Sequence, residues 1–400
     1  MHARAVLVLA LALIAGCGGG GGDGTPPAPS RFLYASAYAG PNTFPAAIYG
    51  FAVHPSGALS PVPGSPAPTA DGGGPIAITR DSKLLYTAMS GLFTAMSGEL
   101  LPFQIHADGS LTNAPGPSFS MPDRPVGLVA HPTADFLYAS WHSGALTVSA
   151  IDSATGALSL TSSVTLGNEF IKTPAVITPD GRYLYQNDVY PDDAFPTSMQ
   201  IAGFSANAVT GALSPVPASP LSPNTQAASS PGLMAIDPSG KFLYAGYQFV
   251  VVNVGIDGGL VAYSIDAASG ELTAVPGSPF SVGGVPNSVA IDASGRYVIV
   301  SIFPRLGGAA GNCLAVLSID PGTGALTPVR GSPFGPMHSC GFVAADPSGP
   351  HVYAGTAPET ADTPATVFVL SIDQATGALD PIGETTIPDK LGVSFIALTH

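Results

Sequence analysis

Two histidines, His142 and His338, and two arginines, Arg124 and Arg305, are the residues of this chain best suited to chemistry. A histidine near neutral pH can draw a proton from water as a general base. A guanidinium can then hold the oxyanion that forms when that water attacks a carbonyl. Trp141, the only tryptophan, could stack on a sugar or another ring, or cap a core. The segment Asn187-Asp-Val-Tyr-Pro-Asp-Asp193 gathers Asp188, Asp192 and Asp193, and Glu169 and Lys172 add one charge of each sign upstream. Calcium takes such oxygen ligands, but this spacing matches no known calcium loop, and no metal is expected. Gly-x-Ser-x-Gly, His-Glu-x-x-His and Cys-x-x-Cys are all absent, and the glycine run at 18–22 reads as a tether rather than a phosphate loop, so no cofactor is expected. His54, His106 and His131 stand where other repeats carry a turn-forming Asp, so they read as turn residues.

The elements that must position these residues follow one repeated pattern. Its clearest copy is Pro231-Gly-Leu-Met-Ala-Ile-Asp-Pro-Ser-Gly-Lys-Phe-Leu-Tyr-Ala245. Seven segments match its Phe-Leu-Tyr core, beginning at Phe32, Leu84, Phe136, Tyr183, Phe242, Tyr297 and His351, 47 to 59 residues apart. About 50 residues holding four short strands is the period of a β-propeller blade. The expected fold is all-β: a seven-bladed β-propeller of four-stranded antiparallel blades, with strands a to d in each. Six strand-a openings are internal, at Pro75, Pro125, Pro174, Pro231, Pro286 and Cys340, and the first recognisable element is already a strand b. The last segment, Val393–Leu398, is therefore expected to supply the missing strand a of the first blade and close the ring. Pro61, Pro63, Pro215, Pro217, Pro276 and Pro328 fall in strand d, which marks it as the outer edge. Charged residues are only 10% of the chain and mean hydropathy is +0.35, as stacked blades with two buried faces require.

Residues 1–16 have a basic start and a short apolar run, typical of a signal peptide. They end in Leu13-Ile-Ala-Gly-Cys17, which resembles the bacterial lipobox and implies cleavage before Cys17 and lipid attachment to its sulfur. Residues 17–30 then form a Gly- and Pro-rich tether, and 31–400 the propeller. The expected location is a bacterial cell envelope, membrane-anchored in the periplasm or outer membrane. In that setting Cys313 and Cys340 remain as a pair. Cys313 opens strand c of blade 6 and Cys340 strand a of blade 7. Because b–c and d–a connections leave a blade on the same face, a disulfide between them is expected.

The net charge of −14 rests largely on turn aspartates: Asp81, Asp135, Asp180, Asp237, Asp292 and Asp346 between strands a and b, and Asp108, Asp152, Asp266, Asp320 and Asp373 between c and d. With 12 Lys and Arg and no basic cluster, nucleic acid is not an expected partner. The b–c and d–a connections vary in length and sequence, which makes that face the expected binding surface.

The elements Asp-Pro-Ser-Gly-Lys-Phe-Leu-Tyr (237–244), Tyr-Ser-Ile-Asp-Ala-Ala-Ser-Gly-Glu-Leu (263–272) and the terminal Val-Pro-Gly-Ser-Pro-Phe resemble the propeller-type lactonase family, which includes bacterial 6-phosphogluconolactonase. The resemblance covers about residues 31–400 and implies a seven-bladed propeller and lactone hydrolysis. Ala139-Ser-Trp-His-Ser-Gly144 is similar to the family's Asn-Tyr-x-x-Gly segment, and Asp188-Val-Tyr-Pro-Asp192 is a degraded counterpart of its Asp-Leu-Gly-x-Asp. The family's His after the strand-a proline has no counterpart: the openings read Pro-Ile-Ala, Pro-Val-Gly, Pro-Ala-Val, Pro-Gly-Leu and Pro-Asn-Ser. The reading taken is a monomeric binding or scaffold module, holding a small molecule, glycan or protein on its variable face. The alternative is hydrolysis of a non-phosphorylated lactone by His142 or His338 with Arg124 or Arg305.

Overall fold

A computed structural model of the chain describes residues 31–38, 46–69, 74–90, 98–121, 123–166, 173–190, 198–222, 229–251, 255–303, 312–335, 340–356, 364–388 and 392–399. They form seven antiparallel sheets, in each of which strands a, b, c and d are neighbours in that order. Blade 5 is representative, with a, b, c and d at Ser229–Ile236, Phe242–Val251, Gly255–Ile265 and Leu272–Ala274. The first sheet takes its strand a from the end of the chain. Gly392–Leu398 pairs antiparallel with Phe32–Tyr38, with Leu33 opposite Leu398 and Ala35 opposite Ile396. Thr399 seals this junction: its hydroxyl accepts from the Phe32 amide at 2.7 Å, and its own amide donates to the Phe32 carbonyl at 2.9 Å. Arg31 adds a further tie, donating to the buried carboxylate of Asp346 in blade 7.

The core lies between blades. Seven apolar clusters occur among the described residues, and each combines side chains from two neighbouring blades. A single blade has no interior of its own, so stacking supplies the burial that drives folding.

A repeated joint sets the stacking geometry. The first residue of each strand-b motif packs on the c–d turn glycine of the next blade. At Gly109, Gly211, Gly270 and Gly324 an added Cβ would overlap the rings of Phe32, Phe136, Tyr183 and Phe242. These glycines also have φ between +71° and +80°, which side-chain-bearing residues rarely adopt. The motif's tyrosine then donates its hydroxyl to the same glycine's carbonyl: Tyr34 to Gly109 at 2.8 Å, Tyr86 to Gly156 at 2.9 Å, Tyr185 to Gly270 at 2.7 Å and Tyr244 to Gly324 at 2.9 Å. Tyr138 bonds Gly211 at 3.2 Å, and Tyr353 of blade 7 reaches Gly57 of blade 1 at 3.5 Å, carrying the joint across the closure. Burial pushes the Tyr138 phenol up to about 12 and the other five higher, so these hydroxyls stay protonated and remain donors. In blade 6 the equivalent position is Ile299, which has no hydroxyl to donate.

The turns use their aspartates as expected, with one correction. The Asp237 carboxylate accepts from the amides of Lys241 at 2.7 Å, Phe242 at 2.6 Å and Ser239 at 3.1 Å, and Asp292 repeats the arrangement with Arg296 and Tyr297. In the c–d turns, the carboxyls of Asp152 and Asp266 are held below the usual range first by the amides of Ala154 and Ser269. Those of Asp108, Asp320 and Asp373 are lowered first by the hydroxyls of Ser110, Thr323 and Thr376. The correction concerns blade 3, where Asp135 does not organise the a–b turn. His131 does so, its Nδ1 accepting from the amides of Thr133 and Ala134, both at 3.1 Å. Asp135 instead pairs with Arg80 of blade 2 at 3.0 Å.

Strand d is also less simple than a proline-marked edge. In blades 1, 2 and 5 it is split into two short pieces that pair with the two halves of strand c, as Leu59–Pro61 and Ala67–Thr69 do with Ala46–Val53. Between the pieces, a serine hydroxyl accepts a strand-c amide: Ser65 from Gly50 at 3.0 Å and Ser278 from Ala262 at 3.0 Å, with Ser219 and Ser332 doing the same in blades 4 and 6. Blade 3, which lacks that serine motif, keeps one continuous strand d at Leu158–Thr165.

Replacing Tyr244 by Phe is expected to lower the free energy of unfolding by about 1 kcal/mol, the worth of a buried hydrogen bond. Gly270→Val is expected to cost more, because it adds a forbidden φ and a ring overlap. Urea unfolding of both variants checks this; an unchanged Gly270→Val midpoint would refute the joint.

Candidate functional site

Strand a is the innermost strand of every blade. Successive a strands touch in blades 1–2, 2–3, 4–5, 5–6, 6–7 and 7–1, so together they wall the axis of the ring. A cavity of about 450 Å³ opens along this wall. Blade 4 contributes Thr173 and Pro174, blade 5 Gly232 and Leu233, blade 6 Pro286 and Asn287. Blade 7 contributes Gly341 and Phe342, and the closing strand Val393, Ser394 and Phe395, with Gln248 and Phe303 entering from the ends of strands b. No acidic, basic or histidine side chain is among these described lining residues.

Neutral polar side chains bind the wall together from behind. The Asn187 amide donates to the Gly232 carbonyl at 2.8 Å. Gln186 donates to the Thr173 carbonyl at 2.9 Å and accepts from Ser140 of blade 3 at 2.6 Å. Asn287 donates to the Gly341 carbonyl, which also accepts from Ser301 at 3.3 Å. The Asn187, Asn287 and Ser140 bonds cross blade boundaries. Two polar atoms in this region have no protein partner among the described residues: Thr173 Oγ1, on a residue 5% exposed, and Asn187 Oδ1, on one wholly buried. Phe342 and Phe395 form a tilted aromatic pair, with ring centroids 5.4 Å apart.

Of the residues singled out from the sequence, Arg124 and His142 come together at the rim of blade 3. The His142 amide donates to the Arg124 carbonyl at 2.9 Å, and Asp123 braces the turn by accepting from Arg124 and Ser143. Neither Arg124 nor His142 lines the cavity, whose described wall contains nothing from blade 3. Trp141 is wholly buried between blades 2 and 3, its indole nitrogen donating to Thr147 at 2.8 Å. That burial withdraws its ring from any surface stacking role. Asp188 has its backbone in strand b of blade 4, opposite Gln200. Cys17, Glu169, Lys172, Asp192, Asp193, Arg305 and His338 lie outside the described residues.

Sequence reasoning missed Thr173, Asn187, Gln248, Asn287 and Ser394. A usable signal existed. Thr173 and Asn287 flank the prolines that open strands a, and strand a must face the axis. Weighing only charged and aromatic residues passed over them.

Cys313 and Cys340 form the expected disulfide, with Cα atoms 5.7 Å apart and both residues wholly buried. It joins blades 6 and 7, the junction whose tyrosine position is Ile299, and Cys340 directly precedes Gly341 in the cavity wall.

Comparison with known proteins agrees with this architecture. Residues 197–340 match the family model described as lactonase, 7-bladed beta-propeller. No curated protein matches the chain in sequence. Among solved structures, a candidate 6-phosphogluconolactonase from Bacteroides fragilis is 18% identical, with TM-score 0.65, covering 94% of this chain and 100% of that one. The periplasmic gluconolactonase PpgL of Pseudomonas aeruginosa is 15% identical, with TM-score 0.66, covering 92% and 99%. At such identities the likeness concerns the fold. The chain is a lactonase-like seven-bladed propeller.

The disulfide closes a sequence separation of 27 residues. Its removal in Cys313→Ala/Cys340→Ala is expected to lower stability by roughly 3–4 kcal/mol on the chain-entropy estimate. Thiol titration of the unreduced, denatured protein should detect neither cysteine; two reactive thiols assigned to 313 and 340 would contradict the pairing.

Proposed function

We propose that this protein is an exported, lipid-anchored binding module that takes a small-molecule ligand in its axial cavity. The observation that carries this reading is the cavity itself: a half-open cleft lined by five blades, partly apolar, and free of titratable side chains among its described lining residues. Such a wall can hold and orient a ligand, but by itself supplies no general base and no cationic oxyanion partner. The anchored location rests on the Leu13-Ile-Ala-Gly-Cys17 segment and the tether that follows it.

A second reading is favoured by the lactonase family match over 197–340 and by the fold shared with PpgL. Here the protein is a lactone hydrolase in which His142 or His338 activates water and Arg124 or Arg305 holds the oxyanion. His142 and Arg124 are neighbours in main-chain pairing, which places any such pair on the rim of blade 3 rather than in the axial cavity.

The two readings diverge on glucono-1,5-lactone. As a binding module, the full-length protein leaves hydrolysis at the spontaneous rate in a pH-stat assay. Accelerated hydrolysis abolished by His142→Ala or His338→Ala would overturn this in favour of the enzyme. The anchor has its own test: radiolabelled palmitate should enter the protein expressed in a lipoprotein-processing bacterium, and Cys17→Ser should prevent it. Equal labelling of the Cys17→Ser variant would refute lipidation at that residue.

A further inference from the structure

We propose that His131 makes the seam between blades 3 and 4 acid-sensitive: on acidification a second proton on its imidazole breaks the a–b turn of blade 3, and the ring opens first at this junction. The proposal does not depend on what the axial cavity binds.

The partners of His131 admit one protonation state. Its Nδ1 accepts from the amides of Thr133 and Ala134, both at 3.1 Å, and the Thr133 hydroxyl lies 3.4 Å away. A proton on Nδ1 would point at two N–H donors, so the neutral ring with its hydrogen on Nε2 is the form that fits. Nε2 is buried with no hydrogen-bond partner among the described residues, and the residue is 1% exposed. An imidazolium here would lose both amide bonds and carry its charge away from water. The residues whose amides make the same bond to the start of strand b in other blades are Thr79, Thr178, Asp237, Asp292 and Asp346. Only blade 3, among the described turns, builds this position on an imidazole.

The same ring bridges two blades. It lies on Gly181 in the a–b turn of blade 4, where an added Cβ would overlap the imidazole. The rings of Phe136 and Tyr138 stand beside it, with centroids 6.3 and 6.2 Å away. At the corresponding glycines of blades 5 and 6, Gly240 and Gly295, the nearest neighbours are Pro179 and Pro238. Burial is the largest influence on His131 and holds its pKa below the ordinary histidine value; the Gly181 backbone opposes this, Arg80 of blade 2 reinforces it, and Asp180 of blade 4 opposes it. Asp135, in the same turn, pairs with Arg80, and the Tyr138 hydroxyl is committed to Gly211. The junction is also thin near the axis. Strand a of blade 4 is only Val176–Ile177, the shortest of its kind, and among the described residues it meets strand a of blade 3 less extensively than other successive a strands meet.

The unfolded chain takes up a proton on His131 near the ordinary value of about 6.5, whereas the folded ring refuses it until lower pH. The stability that depends on this residue is therefore complete above that value and is lost as pH falls below it. On this account the folded-to-unfolded ratio falls by up to about 25-fold between pH 7 and pH 5. Urea unfolding of the full-length protein at both pH values, in the parent, His131→Asp and His131→Asn, tests this. Both substitutions keep a side-chain oxygen to accept turn amides, and both should remove this part of the acid loss, since His54, His106 and His351 are common to all three proteins. An equal acid loss in all three would overturn the role of His131. An imidazole Cε1–H NMR titration of the folded parent needs no substitution: His131 should titrate below about 6.5, and a midpoint at or above it would overturn the proposal. Amide exchange, corrected for intrinsic rates, should show Phe136–Trp141 and Val176–Ile177 losing protection at pH 5 before strand b of blade 5 does. Protection lost first at another junction would overturn the placement at this seam.

Discussion

The joint between a strand-b aromatic residue and the c–d turn glycine of the next blade is the contact on which this molecule depends. It fixes two things at once. The glycine lets a ring lie directly on the turn backbone, which sets the distance between blades. The tyrosine hydroxyl engages the same glycine's carbonyl, which sets their rotation. A blade standing alone would expose both faces, so the stability of each is shared with its neighbours, as in other repeat architectures. Because the joint also spans blades 7 and 1, the chain ends are held by the same interaction as its middle. The exception is informative. Between blades 6 and 7 the tyrosine position is isoleucine, and a disulfide links that junction at the opposite ends of the strands.

The spacing imposed by the joints reaches the axis as a property of strand a. Where neighbouring a strands meet, Asn, Gln and Ser side chains tie one blade to the next. The cavity inherits this chemistry. Its described wall is neutral because the wall is also a structural junction, where an unpaired charge would be costly.

Much of the fold was legible because each repeat states it again. Phe-Leu-Tyr or a variant of it marks strand b seven times, the Asp-containing turns bracket it, and the count of strand-a openings leaves Val393–Leu398 for closure. The cystine was legible from topology, since both cysteines open strands on one face. What escaped was set by contacts between segments distant in sequence. Nothing local in Trp141-His-Ser says that the indole is wholly covered by blades 2 and 3. The serines that cap strand c were visible as a motif, but their acceptor role needs the strand they cap. Thr173 and Asn287 became interesting only once a cavity was found beside them.

The central claim is that the ring is one cooperative unit, sealed by Gly392–Leu398 and held by a repeated inter-blade joint, with a disulfide at the one junction that lacks the tyrosine. Native-state amide hydrogen exchange addresses it directly. The account predicts that protected amides of Gly392–Leu398 exchange only through global unfolding, with the same free energy as those of strand b in blade 5. If Gly392–Leu398 exchanged through local opening at far lower free energy while the inner blades stayed protected, the ring would not be sealed as described.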